Sequence, residues 1–345
     1  MDMISSLLRH LPPERAHRLA IAGLKLGLGP AHASNVHPDL ATTLFGLTFP
    51  NPVGLAAGFD KNAEAPDALL RAGFGFVEIG TVTPLPQQGN PRPRLFRDDD
   101  AEAIVNRMGF NGEGLDVFEA RMRRRTRAGI VGANVGRNKL QQDAEADYVT
   151  CIRRLADVAE YLTINISSPN TPGLRGLQEP AALDSLLRAC TAARDEVRAD
   201  CPLLVKIAPD LDEAAVEAIV GICVDRGIAG LIVGNTTLSR PSGLDPAISG
   251  EAGGLSGRPL FTLSTDILRV AYRYAKGRLP LIGVGGISSA DDAWAKILAG
   301  ANLVQVYSGM IFHGPHFAHR IVEGLAERLR RSGHRTLAEA VGTGA

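Results

Sequence analysis

Residues Tyr161–Arg175 read YLTINISSPNTPGLR, and the character of the chain changes inside them. Up to Ile166, β-branched and apolar residues alternate as in a buried strand; from Ser167 the run Ser-Ser-Pro-Asn-Thr-Pro-Gly is loop. Such a strand end, stiffened by Pro169 and Pro172, suits two arrangements. One is a rim that presents Asn165, Ser168 and Asn170 to a small molecule. The other is an ordinary capped turn, because Ser and Asn favour turns for local reasons. Taken alone, the stretch is balanced between them. A helical pattern follows over 181–199, so the whole is one strand–loop–helix unit.

The same order recurs on both sides of it. PVGLAAG precedes a helix at 63–72, FGFVEIGTVT (74–83) precedes one at 112–128, and IVGANVG (130–136) precedes one at 143–157. Beyond it, LLVKIAP (203–209) leads to 212–227, GLIVGNTT (230–237) to 258–276, PLIGVGG (280–286) to 289–299, and NLVQVYSG (302–309) to 315–331. Each strand is almost continuously apolar, as parallel strands buried on both faces are. Eight such units close into a (β/α)8 barrel of the TIM type. A doubly wound sheet would have fewer strands and a glycine-rich turn after the first. The residues at the C-terminal strand ends are Asp60-Lys61, Thr81, Asn134, Asn165, Lys206, Asn235-Thr236, Gly285-Gly286 and Tyr307-Ser308. They are polar, or glycine, on the rim where barrels place their sites. The long segments 84–111, 167–180 and 237–257 leave the same rim, whereas the returns are short.

Residues 1–30 read as a two-helix extension, Met3 to His10 and Pro13 to about Leu28, ahead of a barrel domain at 31–345. In the second helix Ala16, Ala20, Gly23, Leu24, Gly27 and Leu28 share one face. Four basic residues against two acidic ones make the pair slightly cationic. It suits a cover for one barrel end or a peripheral anchor in a lipid interface. Lys25 within the apolar run, and Pro12-Pro13 with Glu14, favour a helix start over a cleaved leader. The segment LFGLTF (44–49) reads as a small hairpin that closes the barrel below.

Composition narrows the partners. With 37 basic and 37 acidic residues among 345, nothing drives bulk attraction to nucleic acid. The arginines of 121–127 suit a solvated helix face. Cys151, Cys190, Cys201 and Cys223 are scattered without metal spacing, so neither a zinc site nor any other metal is expected. No run is long enough to cross a membrane.

Gly285-Gly286 and Ser308-Gly309 place backbone N–H groups where barrels hold phosphate, although tight turns also want glycine. Lys206, alone on an apolar strand, is either ion-paired or a cation beneath an electron-accepting ring. Phosphate and lysine together suggest FMN. Asn106, Asn165, Asn170 and Asn235, with Lys61, suit an anionic ring of alternating N–H and C=O groups. Ser168 is the best-placed oxygen for a base. A redox-inactive phosphate-binding isomerase and a non-catalytic scaffold are the more distant alternatives.

NPVGLAAGFDKNAE, GFGFVEIGTVTPLPQQGNPRPRLFR, NRMGFNGEG, INISSPNTPGLR, GNTT, GGLSGRPL, GVGGI and VQVYSGM stand in an order and spacing that resemble the dihydroorotate dehydrogenases, specifically the quinone-dependent, membrane-associated class 2. The resemblance runs from about Pro12 to Phe317. It implies an FMN-dependent oxidoreductase of pyrimidine (UMP) biosynthesis that converts dihydroorotate to orotate. It assigns FMN to Ala57, Gly58, Phe59, Asp60, Lys61, Thr81, Asn134, Asn165, Lys206, Gly234, Gly257, Gly286, Tyr307 and Ser308. Substrate falls to Lys61, Asn106, Arg107, Met108, Gly109, Phe110, Asn165, Asn170, Asn235 and Thr236, with Ser168 as catalytic base. Similar class 1 enzymes, which use fumarate or NAD, carry Cys at that position; they are the close alternative. The extension implies a quinone passage lined by His17 and Arg97, and peripheral attachment to the cytoplasmic side of the cell membrane, with no obligate protein partner. Gly234 departs from relatives that have Ala or Thr there, which would loosen one flavin contact. Asp98 to Asp100 read as a surface turn.

Overall fold

The computed structural model describes residues 10–32 and 37–345. The eight expected strands are β3 (Val53–Leu55), β4 (Phe76–Val82), β7 (Ile130–Val135), β8 (Tyr161–Asn165), β9 (Leu203–Ile207), β10 (Gly230–Val233), β12 (Leu281–Val284) and β13 (Leu303–Val306). They pair in parallel in chain order, and β13 pairs back onto β3 through Val304–Val53 and Val306–Leu55, which closes the barrel. That closure excludes the doubly wound sheet.

Outside the strands stand α2 (Pro66–Arg71), α3 (Leu115–Arg124), α4 (Ala144–Leu155), α5 (Pro180–Asp195), α6 (Glu213–Asp225), α8 (Phe261–Ala275), α9 (Ala290–Leu298) and α11 (Phe317–Ser332). Three of them, α4, α6 and α9, begin one residue later than their periodicity predicts because a side chain caps the start. Asp143, Asp212 and Ser289 each accept a backbone N–H of the first turn, which satisfies a donor the helix cannot.

Aromatic rings fill the lower barrel. A Cβ on Gly54 would stand 2.2 Å from the Phe76 ring, and one on Gly132 would stand 2.1 Å from Tyr161. The missing side chains are therefore what admits the rings. The hairpin β1 (Thr42–Leu44) and β2 (Leu47–Phe49) closes this end as expected, with Phe49 fully buried edge-on against Phe76, centroids 5.2 Å apart.

Two segments expected as plain loops contain sheet. Strands β5 (Leu95–Asp98) and β6 (Ala103–Asn106) form a hairpin, and β11 (Gly254–Gly257) pairs with β6, so a three-stranded antiparallel sheet stands over the rim. Asp98 is correspondingly no surface turn. It is 7% exposed. Its carboxylate accepts from Ala101 N at 2.9 Å and Asp245 N at 2.8 Å, tying the two segments together. Those backbone donors hold its pKa below the usual range against the cost of burial.

The first expected helix lies outside the described residues apart from His10. The second is α1 (Pro13–Lys25), three residues shorter than expected at its C-terminus. Gly27 at φ 76° turns the chain, and Leu28 N–H closes onto Gly23 O at 3.0 Å. No described helix is long and apolar enough to cross a membrane.

Candidate active site

A cavity of about 640 Å³ opens at the C-terminal ends of the barrel strands. Its floor is set by polar side chains that alternate inward. Glu78 on β4 is fully buried. Its carboxylate accepts from Asn134 Nδ2 at 2.8 Å, Gln305 Nε2 at 3.0 Å, Thr163 Oγ1 at 3.1 Å and Tyr161 OH at 3.3 Å. Lys206 Nζ, on β9, lies 4.0 Å from the same carboxylate and also faces the cavity. Lys206 is therefore paired with a carboxylate and also reaches the cavity. Burial pulls its pKa down, while Glu78 opposes that shift.

Above the floor, Asn165 spends its whole hydrogen-bonding capacity on the protein. Its Nδ2 donates to Thr81 Oγ1 at 3.0 Å and Asn134 Oδ1 at 3.1 Å, and its Oδ1 accepts from Ser167 N at 3.2 Å and Ser167 Oγ at 2.8 Å. Asn235 Nδ2 donates to Ser167 Oγ at 2.7 Å, and Asn170 Nδ2 donates to Asn106 Oδ1 at 3.2 Å. Those two, with Asn106, keep spare donors or acceptors facing the cavity.

Ser168 sits over this layer, 7% exposed, with Oγ accepting Asn170 N–H at 3.3 Å. Arg175 anchors its loop. The guanidinium donates to Ser167 O at 3.1 Å and Thr236 O at 3.0 Å and pairs with Asp210 at 2.9 Å. A hydroxyl shielded from water, on a loop that Arg175 ties to Thr236 and Asp210, is suited to proton transfer at a fixed point.

At the far end Gly286 has φ 77°, and a Cβ there would stand 2.3 Å from Phe261 Cα. Only glycine lets β12 pass this close to the start of α8. Ser308 Oγ meets Ser256 Oγ at 2.9 Å beside it. Clustered N–H and hydroxyl groups in such a turn form an anion cradle.

The opposite wall is α1, whose small-residue face (Ala16, Ala20, Gly23, Leu24) lines the cavity. Glu14 clamps the helix to the β5 side through Arg94 at 2.7 Å and Arg92 at 3.0 Å, and Lys25 pairs with Glu64 at 2.7 Å. His17 stacks on Phe59, centroids 5.1 Å apart, and its Nε2–H donates to Phe59 O at 2.7 Å. Burial first, then the Lys61 charge, lowers the His17 pKa to about 3, so the ring is neutral. Lys61 donates to Gly58 O at 2.6 Å, and burial lowers its pKa to about 8. Arg97 borders the same cavity and pairs with Asp99 at 3.1 Å.

Most residues singled out in the sequence thus converge on one space. Four do not line it. Asp60 turns inward to accept Glu64 N and Ala65 N at 2.8 Å each. Asn134 stands behind Thr81 and Asn165, and Arg107 pairs outward with Glu251 at 2.6 Å. Gly234 has φ 122°, and a Cβ would stand 2.5 Å from Val284 O, so this backbone requires glycine rather than merely tolerating it. Sequence reasoning missed Glu78 and Gln305. The signal was a lone polar residue in each of two apolar strands, the same signal that marked Lys206. Gln305 Oε1 and Thr236 Oγ1 are buried without a hydrogen-bond partner, and both residues border the cavity.

Residues 39–329 match the family model for dihydroorotate dehydrogenase. The chain is 52% identical to a dihydroorotate dehydrogenase (quinone) of Azorhizobium caulinodans across 99% of both chains. It is 56% identical to one of Rhodopseudomonas palustris, across 98% of this chain and 94% of that one. Its fold is similar to a crystal structure of DHODH in complex with ferulenol from Eimeria tenella, with TM-score 0.93, 40% identity and 99% of each chain covered.

Proposed function

The chain belongs to the dihydroorotate dehydrogenase family, and from that membership we infer that it oxidises (S)-dihydroorotate to orotate in pyrimidine biosynthesis, with a quinone as final acceptor. The fumarate- or NAD-using class 1 alternative is not favoured, since the close relatives are quinone enzymes.

The cofactor we assign is FMN. The observation that carries the reading is one cavity holding a glycine cradle at Gly286 and Ser308, a buried cation at Lys206 and the unpartnered acceptor Gln305 Oε1. That set fits a phosphorylated group whose ring carries N–H donors and gains negative charge on reduction. Gly257, Gly286, Tyr307 and Ser308 would hold its phosphate end, and Ala57, Gly58, Phe59, Lys61, Thr81 and Lys206 would surround the ring. Asp60, Asn134 and Gly234 would act from behind by shaping that wall. When bound, FMN supplies the hydride acceptor.

Ser168 Oγ takes the proton from C5 of the substrate as hydride leaves C6, so the substrate loses two hydrogens and gains a double bond. The Asn170 N–H that Ser168 Oγ accepts steadies the oxygen when it carries charge. Lys61 holds the substrate carboxylate. Asn106, Asn170, Asn235 and Thr236 fix the ring beside Met108, Gly109 and Phe110. Asn165 reaches a ligand by exchanging one of its four internal bonds, and Arg107 positions its own loop.

We assign residues 1–30 as a quinone-access extension to the barrel domain at 31–345. The α1 wall, with His17 and Arg97, would flank the quinone's approach. Leu19, Leu26 and Leu28 are 53%, 77% and 75% exposed at its outer end, which suits contact with a membrane surface on the cytoplasmic side. Reduction and reoxidation then share one cavity, so ping-pong kinetics are expected. The test is anaerobic: dihydroorotate should bleach the flavin of the purified protein, and added quinone, but not fumarate or NAD, should restore its colour. A colourless protein, or recovery with NAD alone, would refute the reading.

A further inference from the structure

We propose that Glu78, which does not line the cavity, is the positioning residue that sets the direction of the Asn134, Gln305, Asn165 and Asn235 amides and supplies the counter-charge to Lys206. The inference rests on the flavin reading above. A buried carboxylate only accepts hydrogen bonds, so each neighbour must turn a donor towards it. Asn134 does so with Nδ2, which leaves Asn134 Oδ1 facing the other way, where it accepts Asn165 Nδ2 at 3.1 Å. Asn165 Oδ1 is thereby aimed at Ser167, whose Oγ donates to it at 2.8 Å. With its proton committed, Ser167 Oγ accepts from Asn235 Nδ2 at 2.7 Å.

From β4 to the end of β10 the chain of bonds runs one way, every donor pointing back towards Glu78. Bonds polarised in series strengthen one another in a dry interior. On the other side Gln305 gives its Nε2 to Glu78, so its Oε1 is the end left for the cavity. One charge thus decides which atom each of these four amides offers.

The same carboxylate is the opposite charge that offsets the burial of Lys206. Tyr161, on β8, is the titratable group facing the pair, and burial together with Glu78 raises its phenol pKa well above the ordinary value. Across ordinary pH the Tyr161 phenol therefore adds no charge to the pair.

The test uses the full-length, flavin-loaded protein and the near-isosteric Glu78→Gln. An amide presents N–H where the carboxylate accepted, and it carries no charge. The midpoint potential of bound flavin is measured from about pH 6 to about pH 9. Glu78→Gln should favour reduced flavin about tenfold less than the wild type at the alkaline end, about 30 mV lower for a two-electron couple, with the gap closing towards acid. Orotate should bind about tenfold more weakly. Tyr161→Phe, which removes one bond to the same carboxylate without changing charge, should leave the potential profile in place. A potential unchanged at every pH, or offset equally at every pH, overturns the charge assignment, and unchanged orotate affinity overturns the amide assignment. If Glu78→Gln loses flavin, Glu78→Asp, which keeps the charge but withdraws it, should shift the profile less in the same direction; a potential at or above wild type throughout refutes the proposal. A wild-type protein without flavin would instead refute the cofactor assignment.

Discussion

Acid should release α1 through His17. The imidazole is held neutral by burial and by the Lys61 charge, with a pKa of about 3 in the docked helix against 6.5 when it is free. A depressed pKa means that the undocked form takes up the proton first. The stabilisation is therefore complete above pH 6.5 and is lost as pH falls towards 3. Between pH 7 and pH 5 the docked helix should lose about 2 kcal/mol, or about 25-fold in the docking equilibrium. Glu14 and Glu64, the other titratable clamps, do not interfere in that window. Burial would raise the Glu14 pKa, but Arg94 and Arg92 outweigh this and hold it below 4.5. The Glu64 carboxyl is raised by burial but lowered more by Lys25, so it too lies below 4.5. The assay is hydrogen exchange of the Pro13–Lys25 amides at both pH values, corrected for intrinsic rates, in the wild type and in His17→Gln. The wild type should lose protection in this helix on acidification, and His17→Gln should lose much less. Equal losses in the two proteins, or a loss spread evenly over the barrel strands, would refute the argument.

Three other outcomes follow from the geometry. Ser168→Ala should keep its yellow flavin yet reduce it with dihydroorotate about 10²–10⁴-fold more slowly in stopped flow. Because burial brings the Lys61 ammonium to about 8, orotate affinity measured by flavin absorbance should weaken as pH rises through that value, and Lys61→Met should abolish the dependence. Gly286→Ala, forced into φ 77° and against Phe261, should cost about 1–3 kcal/mol in thermal melts and purify with less flavin.

The barrel was legible because its eight strands are apolar on both faces, and that pattern needs no knowledge of what packs on them. The rim was legible for a related reason: polar residues such as Asn165 and Lys206 interrupt or end those strands abruptly. The sheet of β5, β6 and β11 was not. Leu95–Asp98, Ala103–Asn106 and Gly254–Gly257 are four residues each, too short to show a period, and the pairing of β11 with β6 joins positions about 150 residues apart. Asp98 looked like part of an exposed acidic turn for the same reason, since the backbone donors it serves come from both segments. The hub at Glu78 was also hidden. A lone glutamate in an apolar strand shows only that something must satisfy it.

By itself the sequence determined which segments are the barrel's strands and helices and which residues stand at the C-terminal ends of those strands, because side-chain periodicity and turn chemistry are local. Only the tertiary structure decided which of those residues share a cavity, that Asn165 is internally satisfied, and that Asp60 and Arg107 turn elsewhere. Hydrogen-bond partners and burial belong to neighbours in space, and closing a barrel brings β13 against β3 across most of the chain.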